Sequence, residues 1–206
     1  MEKMKKSFLY SSVFMVLLAA VLTFILAYLN EMTKPVVAFN REVELQSKIL
    51  YVFDIEAPSD DPDKISEIFG DNVTVEEYQG KDLFLYQKDG QVQAYAVPFD
   101  GPGLWGSIQG YVGVSEDLSR ISGIEFTKQD ETPGLGGRIG EEPFKSQFRD
   151  LDISNPVNGL LVIARPAPGG NIDAISGATQ TSTFVENMVN EDLIDFIRNR
   201  EEGTNE

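Results

Sequence analysis

Four hydroxyl residues fall within seven positions in Ser176-Gly177-Ala178-Thr179-Gln180-Thr181-Ser182, shortly after Asp173. Each of these hydroxyls has an oxygen that can carry a phosphoester. Gly177 and Ala178 leave the backbone open to close approach. A helical pattern follows, so a phosphate placed here meets unpaired N–H groups and the positive end of a helix dipole. A hydroxyl-rich helix start that binds nothing has the same residues, because Ser and Thr are favoured N-caps.

Two more stretches have unusual composition. Glu131-Thr132-Pro133-Gly134-Leu135-Gly136-Gly137 combines one carboxylate with a stiff proline and three glycines that allow rare dihedrals. A plain tight loop would use the same residues. Gly101-Pro102-Gly103-Leu104-Trp105-Gly106 holds the only Trp of the chain. That indole can stack on a flat ring or fill a core.

Composition removes several kinds of chemistry. The chain has no Cys and no His. Thiolate ligation of iron–sulfur clusters, the usual zinc sites and Ser–His–Asp or Cys–His catalysis all require these residues. No metal site and no catalytic residue is therefore assigned, and redox chemistry would need an organic cofactor. A hydrolase built on Ser176 or Thr179 lacks a neighbouring base. The net charge is −16, which repels phosphate backbones and argues against nucleic acid as a partner.

These stretches must be positioned by the rest of the chain. Phe8 to Leu29 carries no charge and follows Lys3, Lys5 and Lys6. At about 1.5 Å per residue it can cross a hydrocarbon core of roughly 30 Å. Signal peptides have apolar cores of about 7–15 residues, so the length favours a retained anchor. The positive flank stays inside and the long C-terminal part faces outside. The expected divisions are a cytoplasmic N-terminus at 1–7, a transmembrane helix at 8–29 and an extracytoplasmic domain at 30–206.

Pro35 should interrupt or bend a helix, and helical spacing resumes from Val37 to about Asp54. Ala57 to Asp63 reads as a loop, and Lys64 to Phe69 as a short helix ended by Gly70. Leu83 to Gln87 and Val92 to Val97 flank the hairpin signal Asp89-Gly90. Ser107 to Val114 and Ile121 to Phe126 make a second pair. Gly134 to Gly140 reads as a loop and Pro143 to Phe148 as a helical turn with Pro at its first position. Leu160 to Ala164 reads as a buried strand. A final helix is expected from Thr183 to Arg198, with Thr183 and Glu186 at capping-box spacing and a polar tail at Glu201 to Glu206. The fold class is α+β: one transmembrane helix, then a largely antiparallel sheet with flanking helices.

The three stretches together resemble a known family. Asp173 with Ser176-Gly177-Ala178-Thr179 is similar to the flavinylation motif of the extracytoplasmic flavin subunits of sodium-pumping NADH:quinone reductases and Rnf complexes. Glu131 to Gly136 resembles that family's Glu-Thr-Pro-Gly-Leu-Gly loop, although no His precedes it here. Gly103-Leu104-Trp105, Leu45-Gln-Ser-Lys-Ile49-Leu50 and Leu83-Phe-Leu-Tyr86 resemble the quinone-reductase C subunits. The resemblance implies FMN joined by a phosphoester to Thr179. It implies a flavin site that includes Asp173, Ser176, Gly177, Ala178, Leu104, Trp105, Glu131, Thr132, Leu135 and Gly136. It further implies electron carriage within a membrane complex, without independent turnover. The implied partners are an iron–sulfur subunit, a second flavin subunit and a flavin transferase for maturation. The implied location is the bacterial inner membrane, with the domain on the periplasmic side. The G subunits of Rnf complexes share the motif, and a cofactor-free anchored binding module is the alternative from another class.

Overall fold

The computed structural model describes residues 2–56 and 61–203 of the chain, with side chains from residue 9 to residue 202. Positions 57–60 of the expected loop, 204–206 of the expected tail and the side chains of Lys3, Lys5 and Lys6 lie outside the described residues. The chain divides into two units, Met1–Glu42 and Val43–Glu206.

The first unit belongs to helix α1 (Glu2–Val52), which is long and apolar enough to cross a membrane. Its Val, Leu, Phe and Ile side chains between residues 9 and 29 stand exposed. Helix α1 runs through Pro35 as one element, so this proline does not interrupt it. A proline removes one intrahelical hydrogen bond, and the helix continues on both sides of it.

The second unit contains a six-stranded antiparallel meander. Its strands are β1 (Val73–Tyr78), β2 (Lys81–Lys88), β3 (Gln91–Pro102), β4 (Ser107–Ser115), β5 (Arg120–Lys128) and β6 (Leu151–Asp152), adjacent in chain order. The hairpin at Asp89-Gly90 forms as expected, with both residues at positive φ, 54° and 77°. Strand β1 is absent from the sequence reading. It is an edge strand exposed along most of its length, so it has no alternation for burial to impose.

Alternate residues of β2 face two cores. Leu83 and Leu85 join a core with Val97, Phe99, Ile124, Val189 and Phe196. Phe84 joins a smaller one with Ile49, Val52, Phe53 and Ile65. The final helix, α4 (Thr179–Gly203), packs on β3 and closes the larger core.

Helix α2 (Pro62–Asn72) is longer than expected and passes through Gly70. Asp61 caps it by accepting from the Asp63 N–H at 3.2 Å. The cost of one internal glycine, ~1 kcal/mol, does not end it. After β5, a 3-10 turn at Gly136–Gly140 replaces most of the expected glycine loop. Helix α3 (Glu142–Lys145) and the 3-10 turn Ser146–Phe148 follow, with Pro143 in the first turn.

Leu160 to Ala164 is buried from Leu161 onward, as expected, but it is not a regular strand. Leu160 makes an isolated bridge to Val157, and Ala164 pairs in the short parallel ladder of β7 (Ala164–Arg165) with β8 (Ile172–Asp173). Side chains satisfy the N–H groups of Leu161, Val162 and Ile163. Asn190 Oδ1 accepts from the Leu161 and Val162 N–H groups at 2.7 and 3.0 Å, and its amide donates to Val162 O at 2.7 Å.

Candidate functional site

Three connections of the second unit meet at the N-terminal end of α4. The first is Gly103-Leu104-Trp105-Gly106, which joins β3 to β4 and is closed by Gly103 N–H donating to Gly106 O at 2.7 Å. This tight turn leaves the Leu104 and Trp105 side chains outside, 46% and 72% exposed. A core role for Trp105 is thereby excluded.

The second is the segment after β5. Gln129 Oε1 accepts from the Glu131 N–H at 2.8 Å, which starts the turn. Thr132 O then accepts from Leu135 N and Gly137 N at 3.1 and 3.0 Å. Gly134, at φ 73°, supplies the left-handed residue that this winding needs. Leu135 remains 47% exposed.

The third is the turn from β8 into α4. Ala178 N donates to Ile175 O at 2.9 Å across Ser176 and Gly177, with Gly177 at φ 80°. The chain then enters α4 at Thr179, four residues before the expected start at Thr183. The capping box at Thr183 and Glu186 does not form. Thr183 Oγ1 donates back to Thr179 O at 3.1 Å, and Glu186 Oε2 accepts from Ala164 N at 3.1 Å. Ser182, inside the first turn of α4, ties the incoming turn to the helix instead. Its Oγ accepts from Ile175 N at 2.9 Å and donates to Ala178 O at 3.3 Å.

A cavity of about 350 Å³ lies between the three connections. That volume is in the range of ligand clefts, roughly 300–1,000 Å³. Of the residues expected at a flavin site, Leu104, Trp105, Glu131, Thr132, Leu135, Gly136, Gly177, Ala178 and Thr179 line it. Asp173 and Ser176 are not in the lining. Asp173 lies in β8, its carboxylate paired with Arg165 at 2.7 Å and its N–H donated to Gln147 Oε1 at 2.5 Å. Gln180 and Thr181 also line the cavity, and the sequence reading does not assign them to it.

The hydroxyls of the third connection differ in access. Thr179 is exposed at the helix N-terminus. Thr181 and Ser182 are buried, 1% and 0% exposed, and both hydroxyls are engaged. Thr181 and Ser182 lie on the side of α4 turned into the domain, and Thr179 does not.

Glu131 connects all three segments. It is 5% exposed. Its Oε1 accepts from Leu104 N at 2.7 Å and Trp105 N at 3.1 Å, and its Oε2 accepts from Thr181 Oγ1 at 2.7 Å. These three donors satisfy a buried carboxylate without a counter-charge.

The arrangement suits a flat, phosphate-bearing ligand. Exposed apolar groups from Leu104, Trp105 and Leu135 surround the opening. A free-standing hydroxyl and a helix N-terminus lie on one side, where a phosphate is favoured.

Comparison with known proteins agrees with this chemistry. Residues 103–193 match the FMN-binding domain. The C subunit of the Na(+)-translocating NADH-quinone reductase from Pasteurella multocida is 36% identical over 111 residues, covering 52% of this chain and 43% of that one. The G subunit of an ion-translocating oxidoreductase complex from Methanosarcina acetivorans is 35% identical over 126 residues, covering 59% and 63%. The chain thus spans less than half the length of the Pasteurella relative. In fold it is similar to the crystal structure of Shewanella oneidensis NqrC, with TM-score 0.61, 22% identity and coverage of 73% and 90%. The crystal structure of the C subunit of the Na(+)-translocating NADH-quinone reductase from Parabacteroides distasonis gives TM-score 0.64, 23% identity and coverage of 80% and 94%.

Proposed function

From the match of residues 103–193 to the FMN-binding domain and the similarity to these C and G subunits, we propose a role as the membrane-anchored electron-carrier subunit of an ion-translocating oxidoreductase, with FMN esterified to Thr179. The observation that carries the proposal is the gathering of the three motifs around one cavity at which Thr179 is the exposed hydroxyl on the helix N-terminus.

When bound, FMN supplies reversible electron transfer. The chain's own residues attach, orient and shield. Thr179 Oγ1 would hold FMN as a phosphoester, formed by a flavin transferase with FAD as donor: the pyrophosphate bond breaks at the FMN phosphorus, AMP leaves and the hydroxyl proton is lost. The α4 N-terminus would offer N–H groups to the remaining phosphate oxygens. Trp105, Leu104 and Leu135 offer apolar surface to the ring. Covalent attachment suits an extracytoplasmic site, because a dissociated cofactor would be lost by dilution.

Within the family, Gly103-Leu104-Trp105 and Leu45-Gln-Ser-Lys-Ile49 favour the C subunit of a sodium-moving NADH:quinone reductase over the G subunit of an Rnf complex. The partners are then an iron–sulfur subunit and a second flavin subunit in the bacterial inner membrane. The proteins that co-purify with the tagged chain distinguish the two complexes.

Attachment is tested by co-expression with a flavin transferase. The chain should give a flavin-fluorescent band on a denaturing gel, and Thr179→Ala should abolish it. Thr181→Ala should retain it. Flavin released by denaturant, or mapped by peptide mass spectrometry to Thr181 or Ser182, rejects the assignment.

A further inference from the structure

We propose that Glu131 and Thr181 are a positioning pair, holding the Trp105 turn at a set distance from the Thr179 end of α4, and that neither is a ligand of the flavin. Both carboxylate oxygens of Glu131 are already committed within the protein, one to the backbone of Leu104 and Trp105 and one to the Thr181 hydroxyl. The group is almost wholly buried, and so is Thr181. Although both residues contribute to the cavity lining, their polar groups are engaged with each other and with the Leu104–Trp105 backbone.

The surrounding sequence is built to this carboxylate. A Cβ on Gly103 would stand 2.5 Å from Glu131 Oε1. A Cβ on Gly136 would stand 2.5 Å from Glu131 Oε2 and 2.6 Å from Thr181 Oγ1. Glycine at both positions therefore makes room for the pair itself. Trp105 has an exposed side chain and little packing of its own, so its position depends on the backbone bonds that Glu131 accepts. A buried carboxylate that loses one donor keeps the full cost of its burial, so the two ends are coupled.

The consequence for the flavin rests on the function proposed above, whereas the pair itself is testable without cofactor. Trp105 is the only Trp, so its fluorescence anisotropy in the full chain, solubilised in detergent without flavin, reports on this turn alone. Thr181→Val keeps the shape of the side chain and removes its donor. Its Trp105 anisotropy should fall while far-ultraviolet circular dichroism stays native. Thr181→Ser restores the hydroxyl and should restore the anisotropy. In the wild type, the Leu104 and Trp105 amide protons should be protected from exchange although both side chains are exposed.

Unchanged anisotropy in Thr181→Val, a loss in Thr181→Ser as large as in Thr181→Val, or fast exchange of both amides overturns the pair. If Thr181→Val does not fold, amide exchange in the wild type decides. Absence of flavin from a chain that passes these tests would overturn the flavin reading and leave the pair standing. With flavin attached at Thr179, Thr181→Val should shift its absorption bands and Thr181→Ser should not.

Discussion

Gly103 and Glu131 are separated in the chain by β4 and β5, yet a single methyl group on Gly103 would stand 2.5 Å from the Glu131 carboxylate and 2.9 Å from Ile108. The glycine is required by its neighbour rather than by its own dihedrals. Gly103→Ala should therefore destabilise the domain by about 1–3 kcal/mol, the usual range for overpacking a filled site. Gly140→Ala is the control, since nothing lies within 4 Å of a Cβ there. Urea unfolding followed by circular dichroism measures both. Equal midpoints for the two variants would remove the steric account.

Trp105 has a distinct consequence for the flavin. Trp105→Ala should leave FMN on Thr179, because the turn is held by backbone N–H groups that alanine retains. It should alter flavin absorption, fluorescence or potential through loss of a ring contact worth ~1 kcal/mol. An unchanged spectrum and potential would place the ring elsewhere in the cavity.

Tyr51 carries an alkaline dependence. Its hydroxyl donates to Glu142 at 2.7 Å. Burial pushes its phenol up to about 12, the Glu142 bond adds to this, and Arg149 opposes it. Unfolded tyrosine loses its proton near 10. The folded state thus holds this proton more tightly. The resulting stabilisation is complete below pH 10 and is lost as pH rises through about 12. The phenolate absorbance of wild type minus Tyr51→Phe should appear near pH 12, and appearance near pH 10 would contradict the environment described.

Orientation can be read from one engineered thiol. The chain has no Cys, and Gln91 is exposed at the start of β3. Gln91→Cys should react with an impermeant thiol reagent in intact spheroplasts. Labelling only after lysis would reverse the proposed orientation.

Local rules carried much of this protein. The apolar segment from Phe8 to Leu29 is visible because a membrane-crossing helix needs only length and absence of charge. The hairpin at Asp89-Gly90 is visible because its turn demands positive φ at adjacent residues, which Asp-Gly supplies. The three motifs of the site were legible as composition, and nine of the eleven expected residues do line one cavity.

Tertiary contacts decided the rest. The extended run ending at Ala164 looks like a strand, yet its N–H groups are met by Asn190, Asn171 and Glu186 from later in the chain. Helix α4 starts at Thr179 rather than Thr183, with Ser182 tied to Ile175 and Ala178 and Glu186 drawn away to Ala164, so the expected capping box does not form. Asp173 belongs to its motif in sequence, but the β7–β8 ladder places its carboxylate against Arg165 and outside the cavity lining. The role of Glu131 was hidden for the same reason. Periodicity and turn chemistry act over a few residues, whereas a buried carboxylate takes its donors from wherever the fold brings N–H and O–H groups together, here from Leu104, Trp105 and Thr181.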